Sequence, residues 1–582
     1  MSTTTHDSTT RAGALPRSWK QPLGAFTERW GTALAVALLI VGIVAWALGS
    51  GFLAFWAFVW AAVAFALVLP LPYALVSPLF MGVVGWLVNM LPLLILVGWG
   101  AVVARWALGL LSERRLPRGG RWIWVPIGLT AWTALGLLVV PFDDLKHFML
   151  LLGMQGLVSG GILVVGDRIA SQGDRLRLLT GLLAFVVLLS GAVVAQWIGV
   201  NIQALQDDSI SDRLEAAYGV DAFTNNTGMI KYTPAKEAGA GQLRRELKRL
   251  GRRDERLPLY VVFRPRFKAY ENHLVVRFEG SARPSEPALE RRGIELIFDN
   301  VGLAPMRTVP RMRSFPRNAL TYAGICAALF PLALALVWTT AGRRRLLGAL
   351  AVAACLFGAG FSIARGAWGA IVVGLIYLAL DGRISFRRKL AAVGLFVAAG
   401  AFLTAFFLAK YDTDPLTSRA LGESSITTRE QLYTDTLESI GGVNVLLGYG
   451  VELARTPGGS TKAFGDYGRY IPPAGTHSTY LNYLFRTGVV GAALAVAMYV
   501  VPWLHARTAA RVRTGAETTL ASLAATAVVI AAAHGTILSL FVEPAYTLVI
   551  TLVLGLALAG WMALPSSILP WRVRGRETQP TS

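Results

Sequence analysis

The chain of 582 residues carries 55 Lys+Arg against 34 Asp+Glu, a formal net charge of +21, and is 54% hydrophobic and only 15% charged. Soluble domains hold roughly 25% charged residues, and at a mean hydropathy of +0.53 this chain cannot cover itself with polar surface. A soluble enzyme, a disordered chain, a disulfide-stapled secreted scaffold and a single-span receptor are all excluded, because apolar runs long enough to cross about 30 Å of hydrocarbon recur along most of the sequence.

The first thirty residues are polar, with Arg11, Arg17, Lys20 and Arg29, and no small-residue cleavage site follows the first apolar run. Residues 1–30 are therefore expected to be an uncleaved cytoplasmic tail. Apolar runs at 31–49, 52–70, 74–90, 91–111, 122–141, 148–166 and 180–199 make 31–199 a first block of transmembrane helices. After a long polar stretch, 317–409 holds four more at 317–340, 346–363, 366–381 and 390–409, and 478–564 holds three at 478–503, 517–541 and 545–564. The expectation is an all-α polytopic membrane protein of about fourteen transmembrane helices, the split within 74–111 being the least marked, followed by a cytoplasmic tail at 565–582.

Charge placement supports that count. Six short basic clusters lie between runs: Arg114–Arg121, Arg168–Arg177, Arg343–Arg345, Arg383–Lys389, Arg507–Arg513 and Arg572–Arg576. With fourteen spans all six fall on the side of the N-terminus, as short cytoplasmic loops should. The long loops at 200–316 and 410–477 then fall outside, where loop length exempts them from the charge rule. Within 200–316, Leu243, Leu247 and Leu250 share helical spacing, while Leu259–Phe263, Leu274–Phe278 and Ile294–Phe298 read as strands. This insert is expected to be a small α/β module. No solenoid-type internal repeat occurs. Cys326 and Cys355 each sit in an apolar run and read as small buried hydrophobes, and the sequence does not say whether they meet.

Ionisable groups at a membrane boundary are functional candidates because placing them there is costly. Arg365, in Ser362-Ile363-Ala364-Arg365-Gly366-Ala367-Trp368, stands alone at a tight connection between two spans. Its planar fork suits a diphosphate, though a snorkelling arginine on lipid headgroups fits the same pattern. His477, in Gly475-Thr476-His477-Ser478-Thr479-Tyr480-Leu481, enters the next span and suits a neutral-pH base or a structural hydrogen bond. Arg311 and Arg313 lead into Phe315-Pro316-Arg317-Asn318-Ala319-Leu320, and Arg429 precedes an amphipathic stretch ending at Gly448-Tyr449-Gly450. Asp143, Asp144 and His147 form either a divalent-cation site or a solvated loop, and His534 with Glu543 either a proton relay or a packing contact. No Walker loop, dinucleotide fingerprint or zinc spacing is present.

The order of these elements from about 307 to 500, with His-Ser-Thr-Tyr-Leu followed by Gly488-Val489-Val490-Gly491 and a weaker echo at Leu145-Lys146, resembles the O-antigen ligase and O-antigen polymerase superfamily of bacterial envelope glycosyltransferases. The resemblance implies a GT-C-like bundle of the lipid-sugar glycosyltransferase type. It also implies a glycan donor on undecaprenyl diphosphate, transfer to a glycan or lipid hydroxyl outside the inner membrane, and no metal, cofactor or nucleotide sugar. By position, Arg365 matches the diphosphate-binding arginine and His477 the histidine that acts as base or orients the acceptor. One of Arg311 or Arg313, together with Arg429, adds to the diphosphate site, and Ser478 and Tyr480 support the acceptor side. Two residues separate Ser362 from Arg365 where the family has Ser directly before Arg, and Ser478 stands where Asn is usual. Two other readings remain at this stage: a lipid-linked oligosaccharide transporter, and a non-catalytic envelope scaffold. A transporter should show repeated halves and mid-membrane charges, whereas here the halves are unlike and the sharpest candidates sit at the outer boundary.

Overall fold

The computed structural model describes residues 21–87, 91–117, 120–138, 140, 145–197, four strands between 227 and 299, 319–411, positions between 433 and 450, 478–540 and 543–562. Two compact units are distinguished, Met1–Gly109 and Leu110–Ser582. In the first, α1 (Gln21–Ala47) packs on α2 (Gly51–Val68), and the expected run at 74–90 is split into α3 (Leu71–Ala74) and α4 (Ser77–Leu87). Ala45, Ala54, Ala61 and Ala62 surround Phe58, so small residues let the helices approach closely where lipid offers no hydrophobic drive. Arg105, on α5 (Leu91–Glu113), donates to the Ala66 and Leu69 carbonyls at 3.1 and 2.8 Å and satisfies the end of α2.

The second unit holds α6 (Trp124–Leu135), α7 (Leu145–Arg168), α8 (Gln172–Trp197), α9 (Ala319–Thr339), α10 (Gly342–Phe361), α11 (Arg365–Leu380), α12 (Phe386–Tyr411), the single turn α13 (Asn444–Leu447), α14 (Thr479–Val512), α15 (Gly515–His534) and α16 (Pro544–Met562). α9 is apolar on every face and carries no charge, so it forms the axis. It contacts α8, α10, α11, α15 and α16. α12, by contrast, buries little of its surface and presents leucine and phenylalanine outward, as a lipid-facing helix must. Cys326 and Cys355 do meet: both are free, fully buried thiols in hydrogen-bond contact between α9 and α10.

Each of the fourteen expected runs falls on an apolar helix. Ten are long and apolar enough to cross a membrane, and four, Leu71–Gly85, Trp124–Leu138, Arg365–Leu380 and Pro544–Ala559, are shorter. The protein is a multi-pass membrane protein. Within 200–316, β1 (Thr227–Tyr232), β2 (Leu259–Phe263), β3 (His273–Phe278) and β4 (Ile294–Asp299) pair antiparallel in the order β2-β3-β1-β4. The register shifts between Met229 and Ile230 and between Val261 and Phe263. Three of these strands coincide with the expected β runs, β1 is additional, and the helical run at Leu243–Leu250 lies outside the described residues.

Polar bridges tie the basic loops together. Asp167, whose side chain is fully buried, receives Arg115 at 2.8 and 2.9 Å and Arg168 at 3.1 Å, and Arg168 also reaches Glu113. The Asp167 carboxylate, with help from Glu113, holds the Arg115 guanidinium above its ordinary pKa. Arg175 pairs with Glu517 at 2.8 Å, Arg388 donates to Thr519 at 3.1 Å, and the Arg388 guanidinium lies 5.8 Å over the Trp338 ring. These contacts gather the clusters around 115, 168–177, 343–345, 383–389 and 513 at one end of the unit. Asp167→Asn removes one partner of a buried pair and should cost about 2 kcal/mol, less than a fully enclosed pair because Arg115 stays partly exposed. Thermal unfolding of the purified protein in detergent measures it, with Asp174→Asn, on the surface, as the near-neutral control.

Candidate active site

At the opposite end, α10 runs into α11 through only Ser362, Ile363 and Ala364. Ile363 adopts φ +49°, a left-handed conformation that a β-branched residue avoids at a cost of about 1–3 kcal/mol. The turn is held in place by the buried Ser362 hydroxyl, which donates to the Ala359 carbonyl at 2.7 Å, and by the Trp368 indole N–H, which donates to the same carbonyl at 3.1 Å. The Ala364 carbonyl accepts from the Ala367 and Trp368 amides. This strained connection presents Arg365, exposed, as the first residue of α11. Gly366 beside it has no Cβ because one would overlap Ile537.

Ile537 belongs to a short unwound segment, 535–540, that follows α15 and collects bonds from other motif regions. The Thr479 amide donates to the Gly535 carbonyl at 2.7 Å, and its hydroxyl to the Leu538 carbonyl at 2.8 Å. Asn482 donates to the Ser539 hydroxyl at 2.7 Å, Tyr480 to the Ala532 carbonyl at 2.8 Å, and Tyr433 to the Thr536 carbonyl at 2.9 Å. Ser478 caps α14, its hydroxyl accepting from the Leu481 amide. One segment of six residues thus joins the Arg365 turn, the residues directly after His477, and Tyr433 just beyond Arg429.

Below this point α14 is interrupted. Gly488 has φ 65° and ψ −172°, which breaks the ladder of intrahelical bonds. The carbonyls it would have left unpaired are taken by other elements: Phe485 accepts from the Tyr449 amide at 2.9 Å, Arg486 from the Gly450 amide at 3.0 Å, and Thr487 from the Trp132 indole at 2.9 Å. The Tyr449 and Phe485 rings stack at 4.6 Å. Gly448 is also left-handed, and an added Cβ there would overlap the Arg486 carbonyl. The Gly448-Tyr449-Gly450 turn is therefore a clasp on the broken helix. Arg486 is almost wholly buried, and Tyr483 donates to Gln155, which continues to Ser159 and Thr130 as a polar chain into α6 and α7.

Residues 350–496 match the family model for O-antigen ligase. No curated protein sequence gives a significant match. The ligase match begins in α10, takes in Arg365 and the clasp, and ends just past the break in α14. It points to a membrane glycosyltransferase of the ligase or polymerase type. Of the expected site residues, the structure places Arg365 exposed at the start of α11, Ser478 as a buried cap and Tyr480 on Ala532. His477, Arg311, Arg313 and Arg429 lie outside the described residues, as do the side chains of Asp143, Asp144 and His147. Among the described residues no cluster of His, Cys, Asp and Glu could hold a metal ion. His534 makes an interhelical bond to the Tyr546 hydroxyl at 2.9 Å.

Sequence reasoning missed the 535–540 segment, Asn482 and Arg486. A signal was present: Gly535, Thr536 and Ser539 interrupt an otherwise apolar run, and Arg486 is a lone cation well inside one. Gly488→Ala forces a side chain into a left-handed site against the Leu446 carbonyl and should loosen the clasp by about 1–2 kcal/mol. Limited proteolysis between 440 and 460 should quicken about tenfold, while Gly394→Ala, which meets open space, leaves the rate unchanged.

Proposed function

We propose that the protein moves a glycan from a polyprenyl (undecaprenyl) diphosphate donor to an acceptor hydroxyl at the outer face of the bacterial inner membrane, as an O-antigen ligase or polysaccharide polymerase. The observation that carries this reading is the ligase match across an exposed arginine on a strained turn, packed on the same short segment that anchors the residues after His477. In this assignment 317–409 forms the ligase-like core, 410–477 is the extracytoplasmic catalytic loop, 478–564 supplies the C-terminal transmembrane helices, the 200–316 insert serves acceptor recognition, and both tails are cytoplasmic.

The chemistry follows from charge. The acceptor oxygen attacks the sugar C1, the bond from C1 to the diphosphate oxygen breaks, and its electron pair leaves on the diphosphate. Arg365, with Arg429 and one of Arg311 or Arg313, stabilises that growing negative charge, a role that needs no metal. His477 takes the acceptor proton late, when the leaving bond is already stretched, so a weak base suffices. Ser478 and Tyr480 hold the start of α14, and with it the backbone that carries His477.

In proteoliposomes with a lipid-linked glycan, Arg365→Ala and His477→Ala should each lower transfer about a hundredfold or more while the protein still inserts, and Arg365→Lys should recover part of the loss. Undiminished transfer by Arg365→Ala would sink the assignment. The interrupted α14 favours one rival, since transporters build sites from broken helices. That rival predicts movement of the glycolipid across the bilayer with no new glycosidic bond, which the same assay reads. For topology, Ser281→Cys and Ser460→Cys, in a background lacking Cys326 and Cys355, should react with an impermeant maleimide added from outside. Labelling only after the membrane is opened would reverse the proposed orientation.

A further inference from the structure

A second candidate site lies at the basic end, away from Arg365. α9 and α10 pack closely, but α12 touches α10 only lightly, and between the three helices runs a groove of about 400 Å³ lined wholly by apolar side chains, among them Trp338, Val352, Leu356, Leu395 and Phe402. Ala353 and Ala398 stand exposed in its wall. The groove has different ends. At one, Trp338 lies under the Arg388 guanidinium. Around it Arg343, Arg344, Arg345 and Arg387 are exposed, with no ion pair among the described residues. Asp381, the one acid in this cluster, is already paired with Arg383. At the other end Phe357 meets Phe361 and Phe402 at 6.3 and 5.6 Å, and behind them Ile363, Leu403 and Phe407 are buried in a packed cluster.

We propose that this groove is a binding site for an anionic phospholipid, one acyl chain lying between α9, α10 and α12 and the phosphate resting among Arg343–Arg345, Arg387 and Arg388. Length and charge both fit. From Arg345 to Phe357 α10 rises about 18 Å, close to the roughly 15 Å of one hydrocarbon leaflet. A basic pocket between membrane helices is the arrangement that anionic headgroups recognise. The other hydrocarbon available, the tail of a polyprenyl carrier descending from Arg365, is disfavoured because the half-exposed Phe357 and Phe402 rings narrow the groove at the end nearer Arg365. A neutral phospholipid would fill the groove but leave the cations unmatched. The occupied groove would fasten α12, the least buried of these helices, to the α9 axis.

The test uses the purified full-length protein in mild detergent, supplied with phosphatidylglycerol or phosphatidylcholine of identical acyl chains and examined by native mass spectrometry. Phosphatidylglycerol should be retained at least about tenfold better. The triple variant Arg344→Gln/Arg345→Gln/Arg387→Gln should abolish that preference. Ala398→Trp, which fills the groove without touching the cations, should displace the lipid, and Ala353→Leu provides the same readout should the larger residue impair folding. Equal retention of the two lipids overturns the proposal, as does phosphatidylglycerol bound unchanged in both groove-filling variants, which would mark a merely basic surface. Displacement of the bound phospholipid by undecaprenyl phosphate in the wild type would assign the groove to the carrier instead.

Discussion

Backbone groups that leave a helix inside a bilayer must find partners within the protein, since no water is there to accept them. Two unwound places in this chain impose that requirement, Gly488 within α14 and the 535–540 segment after α15. Their free backbone groups are satisfied by Tyr449, Gly450, Trp132, Thr479 and Tyr433, and Asn482 adds a bond to the Ser539 hydroxyl; these residues come from four separate parts of the sequence. A net gain of about 1 kcal/mol per bond is modest, whereas an orphaned buried carbonyl costs about 1–3 kcal/mol. The site is therefore held less by attraction than by the penalty for taking it apart. That penalty binds the Gly448–Gly450 turn to the membrane core.

The same constraint explains why strain can persist at Arg365. Ile363 is an unfavourable residue for its backbone angle, and nothing local would keep it there. Ser362 and Trp368 share one acceptor, Ala359, and Gly366 admits Ile537, so α10, α11 and the 535–540 segment fix the turn from three sides. An over-determined turn aims a long side chain that would otherwise spread over many rotamers. The basic clusters at the other end are different in kind: Arg115, Arg168 and Arg175 are held by carboxylates, while Arg343–Arg345 and Arg387 stand exposed.

Spans were legible because the bilayer sets their length: among the described residues ten helices are long and apolar enough to cross it, and four shorter apolar helices fall on other expected runs. The break at Gly488 was not legible. Glycine is common in membrane helices, and Gly488-Val489-Val490-Gly491 reads as uninterrupted apolar sequence until the partner turn, some forty residues away, is brought against it. Strand β1 escaped notice for a related reason, since Thr-Gly-Met-Ile-Lys-Tyr lacks alternation and gains its identity from β3 and β4 on either side. Arg365 stood out by isolation, a property of sequence alone. Arg486 carried a similar signal as a lone cation inside an apolar run, but its burial is a tertiary fact.

The ligase match stops at residue 496, yet much of what holds the matched residues lies beyond it. Thr536, Ile537, Leu538 and Ser539 come from the C-terminal side, and Trp132 and Gln155 from α6 and α7 on the N-terminal side. The matched segment is thus a set of motif positions without its own frame, and removing either flank would leave buried polar backbone exposed to lipid. This separates sequence likeness from structural autonomy. Residues that touch a lipid-linked sugar can keep a detectable pattern, whereas their supports need only present a carbonyl or hydroxyl at the right place, which many sequences can do. Under the proposed function, an exposed Arg365 would act weakly in water, and a bound donor would have to exclude solvent before the arginine could act on the leaving diphosphate at full strength. On that argument the frame's task is to keep the turn and the start of α14 at a fixed separation until the substrate completes the site.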